Sequence, residues 1–238
     1  MEIDYFEQIW GEKVNKGGAK SNLKTMRRKE KIQYVLERLA KEIPEPETEL
    51  EYGDPWQLLV AVVLSAQCTD KRVNMTTPAL FEAFPGPAET ARADFDTLFP
   101  YIKSISFPAN KTRHILKTAT IVIEQHGGQV PRAFDDLIKL PGVGRKTANV
   151  VTSVLYGEPR LAVDTHVHRV ANRIGIARAK DVLKTEEQLT KAIPPEQIPD
   201  AHHYLILHGR YRCTARKPGC EGCSLTEVCG WYRKNRKL

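Results

Sequence analysis

The stretch Leu140-Pro141-Gly142-Val143-Gly144-Arg145-Lys146-Thr147-Ala148 sets a lysine just past a Gly-x-Gly turn. Pro141 stops the helix before it, and Gly142 and Gly144 allow a tight turn with no side chains on its surface. The helix that follows starts with backbone N–H groups that have no helical partner. A phosphate can sit against them, helped by the helix dipole, and such contacts position a duplex without reading its bases. Gly142, Val143, Gly144, Arg145 and Thr147 are therefore candidate phosphate contacts. Lys146 lies in the first turn, where the dipole opposes a positive charge and partial dehydration opposes it further. Both effects favour a neutral amine, which a nucleophilic lysine needs to form a Schiff base with a sugar carbon. The competing readings are an ordinary helix–helix corner and a lysine that faces solvent or a phosphate. The spacing is not that of a P-loop, and no strand precedes it.

Eighteen residues on, Leu161-Ala162-Val163-Asp164-Thr165-His166-Val167-His168 runs from an extended apolar segment into a helical pattern. Asp164 is its natural N-cap. A charged carboxylate there could also stabilise cationic character developing on a sugar. His166 and His168 are two apart, so they do not share a helix face and are not read as a metal pair.

Cys213, Cys220, Cys223 and Cys229 form C-x6-C-x2-C-x5-C, four of the chain's five cysteines within its last 26 residues. Such clustering argues for metal or cluster ligation rather than a disulfide framework. Four thiolates suit either zinc or an iron–sulfur cluster. Arg210, Arg212, Arg216 and Lys217 crowd the start of the set, where they could offset thiolate charge and touch phosphates. Cys68 stands apart and reads as a small core residue.

These groups must be positioned by helices. Ile32, Val35, Leu36 and Leu39 share one face of residues 26–42. Asp54-Pro55 starts a buried central helix over Trp56–Ala66. Further helices are expected over Val73–Phe84, Ala88–Asp94, Lys111–His126, Ala133–Lys139, Lys146–Leu155, Thr165–Ile174, Lys184–Ile193 and Pro199–Arg210. No strand pair or repeat is visible, so the expected class is all-α. Residues 1–25 read as a flexible extension with one short helix near Tyr5–Trp10.

The chain has 238 residues and a formal net charge of +7. Eight Lys or Arg lie between Lys13 and Lys31, and eight more from Arg210 to the end. That balance is compatible with a polyanionic partner. No apolar run is long enough to cross a bilayer, and MEIDYFEQIW has no apolar signal core, so a cytoplasmic protein without a membrane partner is expected.

With these motifs together, the sequence resembles bacterial endonuclease III, a family of helix–hairpin–helix DNA glycosylases. The likeness rests on Leu140–Val151, Val163-Asp164-Thr165-His166 and the four cysteines, and it covers roughly residues 26–230. The resemblance implies two helical domains with a DNA-binding cleft between them. One is a six-helix barrel over residues 47–158. The other joins 26–46 to 159–238 and carries a [4Fe-4S] cluster on Cys213, Cys220, Cys223 and Cys229. It implies Lys146 as nucleophile and Asp164 as catalytic carboxylate in a monomeric glycosylase and abasic-site lyase. The substrate would be duplex DNA with oxidised pyrimidines or abasic sites, and the enzyme would be nucleoid-associated through that DNA. The similar adenine-removing branch usually has serine at the lysine position and a further C-terminal domain. Ser65-Ala66-Gln67-Cys68-Thr69-Asp70 matches a family stretch in which Gln67 enters the space left by a flipped nucleotide; Cys68 departs from the family's alanine. Phe107 fits the position of a loop that wedges into DNA, whereas Ser106, Pro108 and Ala109 depart from the pattern. A different class, a non-catalytic DNA-binding module with a zinc-ribbon-like tail, would explain the hairpin and the charge but not Lys146 with Asp164.

Overall fold

The structure is a computed structural model and describes residues 26–235. The short helix expected near Tyr5–Trp10 lies outside the described residues. Among those described, every regular element is helical. Two compact units emerge among the described residues: Thr48–Ala162, and residues 26–47 together with 163–235.

The first unit is built round α2 (Pro55–Ser65), with α1 (Arg28–Glu42) belonging to the other. Asp54 accepts from the Gln57 N–H at 2.9 Å, and the Gln57 side chain accepts from the Gly53 N–H at 2.8 Å. With Pro55 at the first helical position, the start of α2 is fixed from both sides. From Trp56 to Leu64 only Gln57 escapes burial, as an apolar helix in the middle of a core requires. Around it come α3 (Asp70–Asn74), α4 (Thr77–Ala83), α5 (Pro87–Arg92), α6 (Phe95–Ile102), α7 (Pro108–His126), α8 (Phe134–Leu137) and α9 (Arg145–Tyr156). α7 packs on α5 and α6, and α9 packs on α2. Gly127, in the left-handed conformation at φ 59°, ends α7.

Three features depart from the sequence expectations. The single helix over Val73–Phe84 is two, α3 and α4, because Pro78 needs a fresh start at Thr77. α6 was not anticipated. Pro100 inside it hid the pattern, yet Asp94 caps it by accepting from the Thr97 N–H at 2.8 Å and the Thr97 hydroxyl at 2.7 Å. Cys68 is half-buried against the core just past α2, not enclosed within it.

The second unit holds α1, α10 (Thr165–Ile174), α11 (Val182–Thr190), α12 (Ile198–Leu207) and α13 (Gly230–Asn235). α1 buries Ile32, Val35, Leu36 and Leu39, the stripe expected, and packs on α12. Arg28 and Lys31 tie α1 to the chain leaving α10, donating to the Ile176 carbonyl at 2.8 Å and the Ile174 carbonyl at 2.6 Å. α12 stops at Leu207, earlier than expected, and gives way to a π turn over His208–Arg212 that leads into Cys213.

Candidate nucleic-acid interface and cysteine pocket

In the first unit the hairpin between α8 and α9 is held from below. Leu137, Leu140 and Val143 are buried, and the Thr118 hydroxyl donates to the Pro141 carbonyl at 3.1 Å. The two glycines differ. Gly142 has φ +77°, and a Cβ there would lie 2.8 Å from Nδ1 of His114 and 3.1 Å from its Cβ. The turn therefore needs glycine at 142 for conformation and for space. Gly144 has φ −89° and ψ 176°, an ordinary extended N-cap, and a Cβ there would meet nothing within 4 Å. What glycine supplies at 144 is a bare outer surface.

α9 makes its first backbone bond from the Ala148 N–H to the Gly144 carbonyl at 2.9 Å, so the N–H groups of Arg145, Lys146 and Thr147 lie ahead of the helix's own ladder. Gly142, Gly144, Arg145 and Lys146 carry exposed or half-exposed surface. The side chains of Val143 and Thr147 turn inward, so backbone is what those two can offer a phosphate. Lys146 is open to solvent, and the dehydration expected of it is not supplied by the protein itself. Further along α9, the Asn149 amide donates to the Leu161 carbonyl at 3.3 Å and fastens the extended segment before Asp164. Sequence reasoning named Arg145 beside the hairpin but missed Arg132 and Arg160. Arg145 and Arg160 lie 5.6 and 4.2 Å from the Phe134 ring centroid, and Arg132 lies 5.4 Å from that of Tyr156. Their aromatic partners are scattered in sequence, so no local pattern revealed them.

Two other loops of this unit hold its non-glycine residues with positive φ, Gln67 at 56° and Phe107 at 55°. Such backbone costs on the order of 1–3 kcal/mol per residue and persists only where the surroundings impose it. Phe107 also precedes Pro108, which restricts it further. Gln67 is exposed, and Phe107 is 60 % exposed. The Ser106 hydroxyl donates to the Gln67 carbonyl at 2.8 Å, which joins the loops.

In the second unit Asp164 caps α10 as expected: its Oδ1 accepts from the N–H groups of His166 at 2.8 Å and Val167 at 2.9 Å. His166 and His168 have separate partners, Arg169 at 3.2 Å and the Thr185 hydroxyl at 2.7 Å. α10 also organises the cysteines. Arg169 donates to the carbonyls of Gly209 at 2.7 Å and Cys213 at 3.1 Å. Arg173 donates to those of Thr214 and Ala215, each at 2.7 Å, and reaches Sγ of Cys213 at 3.5 Å. Neither arginine was singled out in sequence.

Cys213, Cys220, Cys223 and Cys229 line one pocket together with Arg173, Leu225 and Tyr232. Among the described residues no three of His, Cys, Asp or Glu are grouped tightly enough to hold a single metal ion. A lone zinc needs its ligands converging on one point, whereas a multi-iron cluster takes thiolates from around its periphery. Burial pushes the Cys223 thiol up to about 12 and raises Cys220 and Cys229 as well. A positively charged group bound in this pocket would hold such thiols ionised.

A family profile described as "HhH-GPD superfamily base excision DNA repair protein" matches residues 60–195. Endonuclease III of Haemophilus influenzae is 48% identical over 200 residues, covering 84% of this chain and 95% of that protein. The chain belongs to the endonuclease III family. The Bacillus subtilis (strain 168) endonuclease III is 46% identical over 207 residues, covering 87% of this chain and 94% of its own length. Among solved structures, a trapped endonuclease III–DNA covalent intermediate superposes with a TM-score of 0.84 at 46% identity, covering 90% of this chain and 100% of that one. The all-helical expectation and the family resemblance both hold. No described helix is long and apolar enough to cross a membrane.

Proposed function

We infer that the chain is a base excision repair DNA glycosylase and abasic-site lyase, that it acts on oxidised pyrimidines in duplex DNA, and that Lys146 is its nucleophile. The observation that carries the residue assignment is Lys146 itself: exposed, in the first turn of α9, next to a glycine N-cap with open space in front of it. A family relative trapped in a covalent complex with DNA supports chemistry through a protein nucleophile.

The proposed reaction begins when the hairpin takes hold of backbone phosphate and the damaged nucleotide leaves the stack, at least cost where its pairing is already weak. Gln67 fills the space left behind, and Phe107 wedges the opposite side. Bound DNA excludes water from Lys146, and its neutral amine attacks C1′ as the base departs. Asp164 stabilises cationic character at the sugar. The resulting imine acidifies the C2′ proton, and β-elimination cuts the strand 3′ to the abasic site.

The four cysteines fit a [4Fe-4S] cluster, which when bound would supply positive charge to their half-buried thiolates and cross-link the loops of Cys213–Cys229. The chain's own part is to hold those loops on α10 through Arg169 and Arg173. The reading is completed by a monomer working in the cytoplasm on nucleoid DNA. Borohydride reduction with an abasic-site duplex, followed by peptide mapping, tests the central assignment. The adduct is expected on Lys146; an adduct on another residue refutes it.

A further inference from the structure

By its sequence Lys111 is one more cation where a loop meets a helix, yet it is buried, only 6% exposed, in the first turn of α7. A lysine is placed so only when its ammonium is satisfied. Its Nζ donates to the carbonyls of Leu64 at 2.7 Å and Ala66 at 2.6 Å, at the C-terminal end of α2, where the dipole and the orphan carbonyls favour a cation. Burial lowers its pKa, and the nearby Cys68 opposes that shift.

The carbonyl of Ala66 belongs to the peptide that precedes Gln67. The peptide that follows Gln67 is held by the Ser106 hydroxyl at 2.8 Å. Both peptides flanking one left-handed residue are thus pinned by the segment bearing the other, since Ser106 immediately precedes Phe107 and the Lys111 N–H donates to the Phe107 carbonyl at 3.2 Å. Gln67 and Phe107 are exposed while the groups holding them are buried or half-buried.

We propose that Lys111, with Ser106, is a positioning residue that locks Gln67 and Phe107 into one pre-formed, two-pronged element for insertion into the DNA stack. The inference rests on the reading above that these two side chains enter DNA. Without the lock, each prong relaxes to commoner backbone conformations, and apparent affinity for distorted duplex falls by the fraction of molecules left competent.

The test uses the full chain with its metal group. Lys111→Met removes the ammonium but keeps an apolar stem of similar length. Trapping on a single-stranded abasic oligonucleotide, which has no stack to open, is expected to match wild type. On an abasic duplex, kcat/KM is expected to fall by about tenfold or more, mostly through KM. With 2-aminopurine opposite the lesion, the fluorescence rise that reports an opened stack is expected to be lost, as in Gln67→Ala. A folded Lys111→Met that opens the stack and cuts duplex like wild type overturns the proposal, as does equal loss on single and double strands. If Lys111→Met does not fold, Ser106→Ala decides: a few-fold loss confined to duplex supports the lock, and no change overturns it. If Gln67→Ala and Phe107→Ala both leave duplex cutting intact while wild type is still trapped through Lys146, the insertion reading fails and takes this inference with it. If those two variants are impaired and the Lys111 and Ser106 variants are not, only the lock fails.

Discussion

Replacing Gly144 by aspartate separates DNA binding from folding by moving them in opposite directions. Gly144 is the N-cap of α9 in extended conformation, φ −89° and ψ 176°, with nothing within 4 Å of where a Cβ would lie. Aspartate is a preferred N-cap, so the substitution should leave stability unchanged or raise it by a few tenths of a kcal/mol. On the DNA side it sets a carboxylate where a phosphate is proposed to sit. Two like charges about 4 Å apart repel by roughly 1 kcal/mol in bulk water and about 4 at a partly desolvated surface. A loss near 2 kcal/mol corresponds to about a thirtyfold weaker Kd. Losing one phosphate contact should also flatten the slope of log K against log salt by about 0.9. Gly142→Ala is the internal contrast. It forces an L residue to φ +77° and presses a Cβ to 2.8 Å from the His114 ring. The left-handed backbone alone costs about 1–2 kcal/mol, so melting should drop by several degrees. Fluorescence anisotropy titrations of undamaged and abasic duplexes over a salt series, alongside thermal melts, read both effects. Unchanged affinity of a folded Gly144→Asp would refute phosphate binding at the hairpin. A large drop in its melting temperature would show that the space seen in front of Gly144 is not there.

Lys146→Gln should fold, keep its metal group and bind DNA, but lose base release, strand cleavage and borohydride trapping; undiminished trapping would remove Lys146 from the mechanism. Asp164→Asn keeps a good N-cap for α10, so melting should change little, while base excision falls steeply and trapping on a ready-made abasic site persists. Purified protein should be yellow-brown with roughly four irons per chain, and Cys223→Ser should lose the colour and destabilise the tail; stoichiometric zinc without iron after anaerobic purification would defeat the cluster assignment. His203, whose burial and whose neighbour Arg210 lower its pKa to about 4, refuses a proton that the unfolded chain accepts near 6.5. Its contribution is therefore present above about pH 6.5 and lost as pH falls toward 4, so the stability gap between wild type and His203→Leu should shift by about 2 kcal/mol between pH 7 and pH 5 in denaturant titrations.

What the sequence made legible was local. Asp54-Pro55 and Asp164 announce helix starts because a cap and the groups it satisfies lie within three residues of each other. The stripe of α1 and the buried run of α2 follow from apolar spacing alone. Cys213 to Cys229 could be named as one ligand set from spacing, but spacing left zinc and a cluster equally open. The choice of a cluster rests on the family resemblance, and the four cysteines do line one pocket. α6 escaped because Pro100 breaks the pattern by which helices are recognised, although the chain tolerates it in so short a helix.

Lys111, Arg169 and Arg173 stayed hidden for one physical cause: each is a side chain that reaches a backbone carbonyl far away in the chain. Lys111 satisfies carbonyls 47 and 45 residues earlier, and Arg169 and Arg173 satisfy carbonyls some 40 residues later. Carbonyls are present at every residue, so the acceptor leaves no mark in sequence. The donor looks like any surface cation. In each case the held carbonyls border a segment with a proposed task, the left-handed Gln67 in one and the approach to Cys213 in the other. A buried cation on an irregular segment's carbonyls fixes that segment's backbone without covering its outward side chains. That is the arrangement required when Gln67 and Phe107 must stay exposed and yet not move.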